Sequence, residues 1–185
     1  MFIMSKSKNI YLIEGFSMVG RSTFIDTAFP ASPMYTWNNN HVDELNNRNE
    51  WNVEYGIIDF LEQVGVRRVA NSTGLVLNRG VFSSYVYNYL YSRSRPFDER
   101  ILESYKNNKF FHNDIGHIYV RHSDQGLAEE MFNKAHEQYP EFKSFSDYWI
   151  MYNYADQCYR DIYKKLGITP EIYETIPDLK WRKVN

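Results

Sequence analysis

Apolar residues run unbroken through Ile10, Tyr11, Leu12 and Ile13, and Gly15 follows Glu14. A short apolar run stopped by glycine predicts a buried strand over 9–14. From Ser22 the pattern turns helical until Pro30 ends it. Pro33 to Trp37 predicts a second strand, and the asparagine-rich run from Asn38 to Asn49 a loop. Trp51, Tyr55, Ile58, Leu61 and Val64 recur every three or four residues, which predicts a helix over 50–64 with Gly65 as its C-cap. Val69 to Asn78 carries the trio Leu75, Val76, Leu77 and predicts a third buried strand. Residues 82–91 hold two patterns at once. Tyr85, Tyr87, Tyr89 and Tyr91 alternate as a strand does, whereas Phe82, Tyr85/Val86 and Tyr89/Leu90 share a helical face. Asp98 suits the cap of a helix reaching about Lys106, and His117 to Val120 reads as another strand after Gly116. Residues 125–138 read as helix. Ser144 opens a long helix with Phe145, Tyr148, Trp149, Tyr152, Ala155, Tyr159, Ile162 and Leu166 on one side, closed by Gly167 and followed by Pro170. Strands alternating with helices imply an α/β fold around a mainly parallel sheet. No repeat, low-complexity tract or linker interrupts the 185 residues, so one domain is expected.

Composition narrows the function classes. Hydrophobic residues make up 43% and aromatics 17%, which excludes a disordered chain. The formal charge of −2 leaves no basic field for nucleic acid, so no nucleic-acid partner is expected. Lys180, Arg182 and Lys183 read as a solvated end. The lone Cys158 cannot form an internal disulfide and suits a reducing compartment. Five scattered histidines without cysteine partners do not make a zinc site. Neither a signal peptide nor a membrane span is visible, and a cytoplasmic protein is expected.

The candidate chemistry sits just after the first strand. Gly15 and Gly20 frame Gly-x-x-x-x-Gly, followed by Arg21, Ser22 and Thr23. Such a loop lets the backbone curl and aim N–H groups at a polyphosphate, with the positive end of the next helix behind them. Gly15, Ser17, Val19, Gly20, Arg21, Ser22 and Thr23 are therefore candidate phosphate-binding residues, and Ser22 a candidate Mg²⁺ ligand. The same glycines also suit a plain tight turn. Arg21 stands where lysine is usual. A guanidinium keeps the charge but is larger, planar and differently aimed. Either the loop shifts to let Arg21 do the whole task, or binding survives and phosphoryl transfer slows.

Ile13-Glu14-Gly15 with its loop resembles the opening of thymidylate kinases and deoxynucleoside kinases, which typically carry glutamate before the first loop glycine. Leu77-Asn78-Arg79 followed by Ser83-Ser84-Tyr85 is similar to the Asp-Arg-Tyr and Glu-Arg-Ser stretches of those families. Pro33 and Trp37 echo a third motif of the deoxynucleoside kinases, whose glutamate is Ser32 here. The resemblance spans roughly residues 9–90. It implies a P-loop NTPase-type three-layer fold and makes residues 82–91 a helix. It further implies ATP and Mg²⁺ as cofactors, a phosphate contact from Arg79, and a nucleotide or nucleoside acceptor, foremost a dTMP-like monophosphate. Arg21, Asn78 and Arg79 become the candidate catalytic residues, and Arg121 a candidate phosphate contact from the fourth strand. The tyrosine- and asparagine-rich composition is reminiscent of viral kinases, which implies the host cytoplasm in that case.

The departures are concentrated where charge matters. Asn78 replaces the family acid, Ser17 a frequent aspartate, and Ser32 a glutamate. Asparagine cannot take up a proton. Asp43, Glu44 and Asp59 are alternative acids, Trp37, Tyr35, Trp51 and Tyr55 candidate base-stacking residues, and Arg67 and Arg68 further candidate phosphate contacts. Two readings stay open: an ATP-dependent kinase, and a kinase-like fold that binds nucleotide or a protein partner without turnover. A homodimer is compatible with either.

Overall fold

The computed structural model describes residues 8, 10–30, 34–36, 75–90, 105–107 and 115–184. The expected helix over 50–64, the acids Asp43, Glu44 and Asp59, the basic pair Arg67 and Arg68, and Ser32, Trp37, Trp51 and Tyr55 lie outside those residues.

Among the described residues, six strands form one sheet: β1 (Ile10–Glu14), β2 (Met34–Thr36), β3 (Leu75–Asn78), β4 (Ile115–His122), β5 (Glu171–Ile176) and β6 (Lys180–Lys183), ordered β2-β3-β1-β4-β5-β6. All pairings are parallel except β5 with β6. The central strand β1 is buried at all five residues, as a parallel strand with helices over both faces must be. Alternate side chains serve the two faces. On one, α1 (Arg21–Ala28) packs Phe24 onto Tyr173 and Trp181, with ring centroids 4.9 and 5.4 Å apart. On the other, α2 (Val81–Leu90) and α4 (Phe145–Leu166) bring Phe82, Tyr159 and Tyr163 against His117 and Tyr119. A further helix, α3 (Gln125–Ala135), packs Phe132 on Tyr148 of α4. The fold is thus α/β, with a mainly parallel sheet between helical layers.

The helix ends follow the residues expected of them. Ser144 accepts a hydrogen bond from the Asp147 amide, and Gly167 closes α4 in the left-handed conformation at φ 68°. Residues 81–90 are helical, as the family resemblance implies and tyrosine alternation does not. After Pro170 the chain adds two strands that the hydropathy pattern does not announce. The basic tail expected as a solvated end is the edge strand β6. Its lysines face solvent, but Trp181 packs on Phe24. Among the described residues, no helix is long and apolar enough to cross a membrane.

Sheet topology locates the site. The chain leaves β1 toward β2 and β3 on one side and later returns to β4 on the other. The carboxyl end of β1 is therefore the point where strand order reverses, the place where open α/β sheets bind ligands. The Gly15–Gly20 loop sits there.

Candidate functional site

The loop is bent, and neighbouring hydroxyls hold the bend. Gly15 passes so close to β4 that a Cβ on it would stand 2.5 Å from the Val120 carbonyl oxygen. Met18 and Gly20 take left-handed conformations, at φ 63° and 74°. Loop carbonyls turn into the protein and are collected there. Tyr159 Oη donates to Gly15 O at 3.4 Å, Tyr148 Oη to Ser17 O at 2.8 Å, and Thr175 Oγ1 to Val19 O at 2.7 Å. Ser17 Oγ and Tyr87 Oη share a further bond of 2.7 Å, and Phe16 is stacked between Tyr87 and Tyr148. Gly20 then serves as N-cap of α1 without a side-chain cap, and no acid stands in the first turn. The amides of Gly20, Arg21, Ser22 and Thr23 meet no acceptor among the described residues. Helices α3 and α4 differ: Asp124 and Ser144 cap them.

Charge converges on the same place. Arg21 is buried, 8% exposed, and folds back under the loop. Its Nη1 donates to the Gly15 carbonyl and its Nε to Asn78 Oδ1. Burial, and then the nearby Arg79 charge, lower its pKa to about 10. Arg79 occupies the turn between β3 and α2 at φ 70°, an uncommon backbone for a side chain of its size. Its amide donates to Ile13 O at 3.0 Å, and its guanidinium lies 4.9 Å over the Tyr87 ring. Glu14 is wholly buried. Its carboxyl oxygens accept from the Ser83 hydroxyl and, at 3.3 Å, from the Ser83 amide in the first turn of α2. Burial raises its pKa to about 7, against the lowering pull of Ser83, Arg21 and Arg79. The site therefore gathers two guanidiniums and one carboxyl that holds its proton up to near-neutral pH.

No family model and no curated protein matches this chain. Among solved structures, the fold is similar to that of the YorR protein of Bacillus subtilis, crystallised in complex with phosphorylated GDP. The TM-score is 0.58 at 15% identity, over 89% of this chain and 85% of that one. The likeness is one of fold.

Most of the sequence-predicted residues come together. Gly15, Ser17, Val19, Gly20 and Arg21 form the bend, Ser22 and Thr23 lie exposed at the start of α1, and Asn78 and Arg79 reach it from β3. Arg121, next to the end of β4, forms an ion pair with Glu174 of β5, 2.8 Å away, and Glu174 also holds Arg182 at 2.7 Å. Sequence reasoning missed Ser83, Tyr87, Tyr148, Tyr159 and Thr175 as partners of the site, and treated Glu14 only as a family mark. For Tyr148 and Tyr159 a signal existed, since both lie on the inward stripe of α4. A hydroxyl on an apolar stripe must find a partner when buried. Among the described residues, no three His, Cys, Asp or Glu side chains gather as metal ligands.

Proposed function

We propose that this chain binds the phosphates of a nucleotide on the Gly15–Ser22 loop and transfers a phosphoryl group from ATP to a nucleoside monophosphate or nucleoside. The observation that carries the reading is the convergence of uncapped first-turn amides with two guanidiniums at the strand-order reversal. Only an anion complements that set. The phosphorylated GDP bound to YorR, a protein of similar fold, supports a nucleotide as the source of that anion.

The donor set also fits the cofactors. The exposed Ser22 hydroxyl and the α1 amides would hold Mg²⁺ and polyphosphate, which together supply the transferable group and neutralise its charge. Arg21 would serve the phosphates of the donor, and Arg79, held by its stack on Tyr87, those of the acceptor. The tyrosine and threonine hydroxyls on the loop carbonyls keep the amides aimed without reorganisation, which is what electrostatic catalysis requires. The deoxynucleotide preference, dTMP foremost, rests on the sequence resemblance.

A second reading, a nucleotide-binding module without turnover, is favoured by Asn78, an amide where proton uptake would need an acid. One experiment separates the two. The purified chain is incubated with ATP, Mg²⁺ and a panel of nucleosides and monophosphates, and ADP is measured beside ATP binding. Acceptor-dependent ADP supports the kinase, ATP binding without ADP supports the module, and absence of nucleotide binding overturns both.

A further inference from the structure

Arg21 is a buried cation whose hydrogen-bond acceptors among the described residues are neutral carbonyl oxygens, Gly15 O and Asn78 Oδ1. Buried guanidiniums ordinarily meet carboxylates, in a paired and often bidentate arrangement that cancels the charge. Here the acceptor chemistry is uncharged, so Arg21 is held in place while its charge remains uncancelled by a bonded acid. Asn78 is itself fixed. It ends β3, is 4% exposed, and its backbone is registered against Ile13 of β1 and Thr36 of β2. The amide is therefore a stationary hook for the Nε–H of a long, flexible side chain.

Resting on the phosphate-binding reading above, we propose that Asn78 is a positioning residue. Its Oδ1 anchors Arg21 by Nε, which leaves the guanidinium charge for the phosphates on the loop, and an acid at the same position would turn Arg21 away from them. The roles of the two residues are linked. Arginine carries an Nε–H for the hook beside terminal nitrogens, one of which donates to Gly15 O and which leave further donors for the anion, whereas the donors of lysine all radiate from one terminal nitrogen and none stands at the ε position.

The test uses the full chain and ADP as the probe, with affinity from calorimetry and melting temperature measured on the same samples. Asn78→Ala is expected to weaken ADP binding about tenfold, the scale of a lost hydrogen bond to a charged group. In an Arg21→Lys background the same change is expected to alter affinity less than about twofold, because lysine has no Nε–H to be anchored. Asn78→Asp is expected to weaken binding at least about tenfold while the melting temperature holds or rises, since the acid pairs with the buried guanidinium. A merely structural Asn78 would lower affinity and melting temperature together, and equally in both backgrounds. That result, or unchanged ADP affinity in Asn78→Asp, overturns the proposal and leaves nucleotide binding intact. A natural chain that binds no ADP overturns the phosphate-binding reading and this inference with it.

Discussion

Replacing Glu14 by glutamine tests the electrostatics of the site most directly. The folded protein raises the Glu14 pKa from 4.5 to about 7, chiefly by burial. A raised acid pKa means that the folded chain keeps a proton the unfolded chain has lost. This contribution to stability is fully present below pH 4.5 and is lost as pH rises through 7. At about 1.4 kcal/mol per pKa unit, the loss is roughly 3 kcal/mol. His122 works in the opposite direction. Burial lowers its pKa from 6.5 to about 4, so its contribution is present above pH 6.5 and is lost as pH falls through 4. That loss is also roughly 3 kcal/mol, and between pH 4.5 and 6.5 the two slopes nearly offset in the natural protein. Glutamine is nearly isosteric with glutamate, can accept from the Ser83 amide and can donate to its hydroxyl, so both Ser83 groups that bond Glu14 keep a partner. Glu14→Gln should therefore unmask the histidine slope, with stability climbing from pH 4.5 to 6.5, and should exceed the natural protein at pH 8 by roughly 3 kcal/mol. Urea unfolding midpoints across pH 4.5 to 8 measure both. A variant less stable than the parent at pH 8, or one whose pH profile runs parallel to it, would show that Glu14 is ionised and paired with Arg21 or Arg79, and would refute the account.

Two further substitutions probe the bend itself. Gly15→Ala places a methyl group 2.5 Å from the Val120 carbonyl oxygen, and β1 and β4 are zipped together along their length; we expect a loss of about 2 kcal/mol or more in urea unfolding, together with loss of nucleotide binding. Tyr148→Phe removes the donor to Ser17 O and the partner of His122 Nε2, while keeping the ring stacked on Phe16; it should cost about 1–2 kcal/mol and weaken ADP affinity in calorimetry, and unaltered affinity would separate the loop's curvature from its tyrosine clamp.

Burial shows why some elements were legible in the sequence and others were not. In α2, Phe82, Ser83, Val86 and Tyr87 are buried while Tyr89 is 66% exposed. Those positions follow a turn of 3.6 residues, so the tyrosine alternation at 85, 87 and 89 is a coincidence of composition, and the helix was legible only through the family resemblance. β5 and β6 fail for another reason. Their charged residues read as solvated, but Glu174 pairs with Arg121 and Arg182, and Glu171 with Lys183. Ion pairs across adjacent strands hide polar residues in a sheet, and no hydropathy count can see a partner fifty residues away.

The candidate site divides along the same line. The glycine spacing was legible because a tight bend before a helix is a property of consecutive residues, and Gly15 and Gly20 sit where close approach and positive φ require them. What holds the bend in shape comes from elsewhere in the chain. Asn78 and Tyr87 arrive from β3 and α2, Tyr148 and Tyr159 from α4, and Thr175 from β5. The same placement gives the departures at positions 21 and 78 a shared meaning. Taken singly, one changes the shape of an expected cation and the other removes an expected acid; in the fold they touch, and the pair keeps a positive charge buried beneath the loop with a neutral hook holding it. Among the described residues that guanidinium has no bonded acid, an arrangement that costs stability unless an anion completes it, which is the physical ground on which the proposed phosphate binding stands.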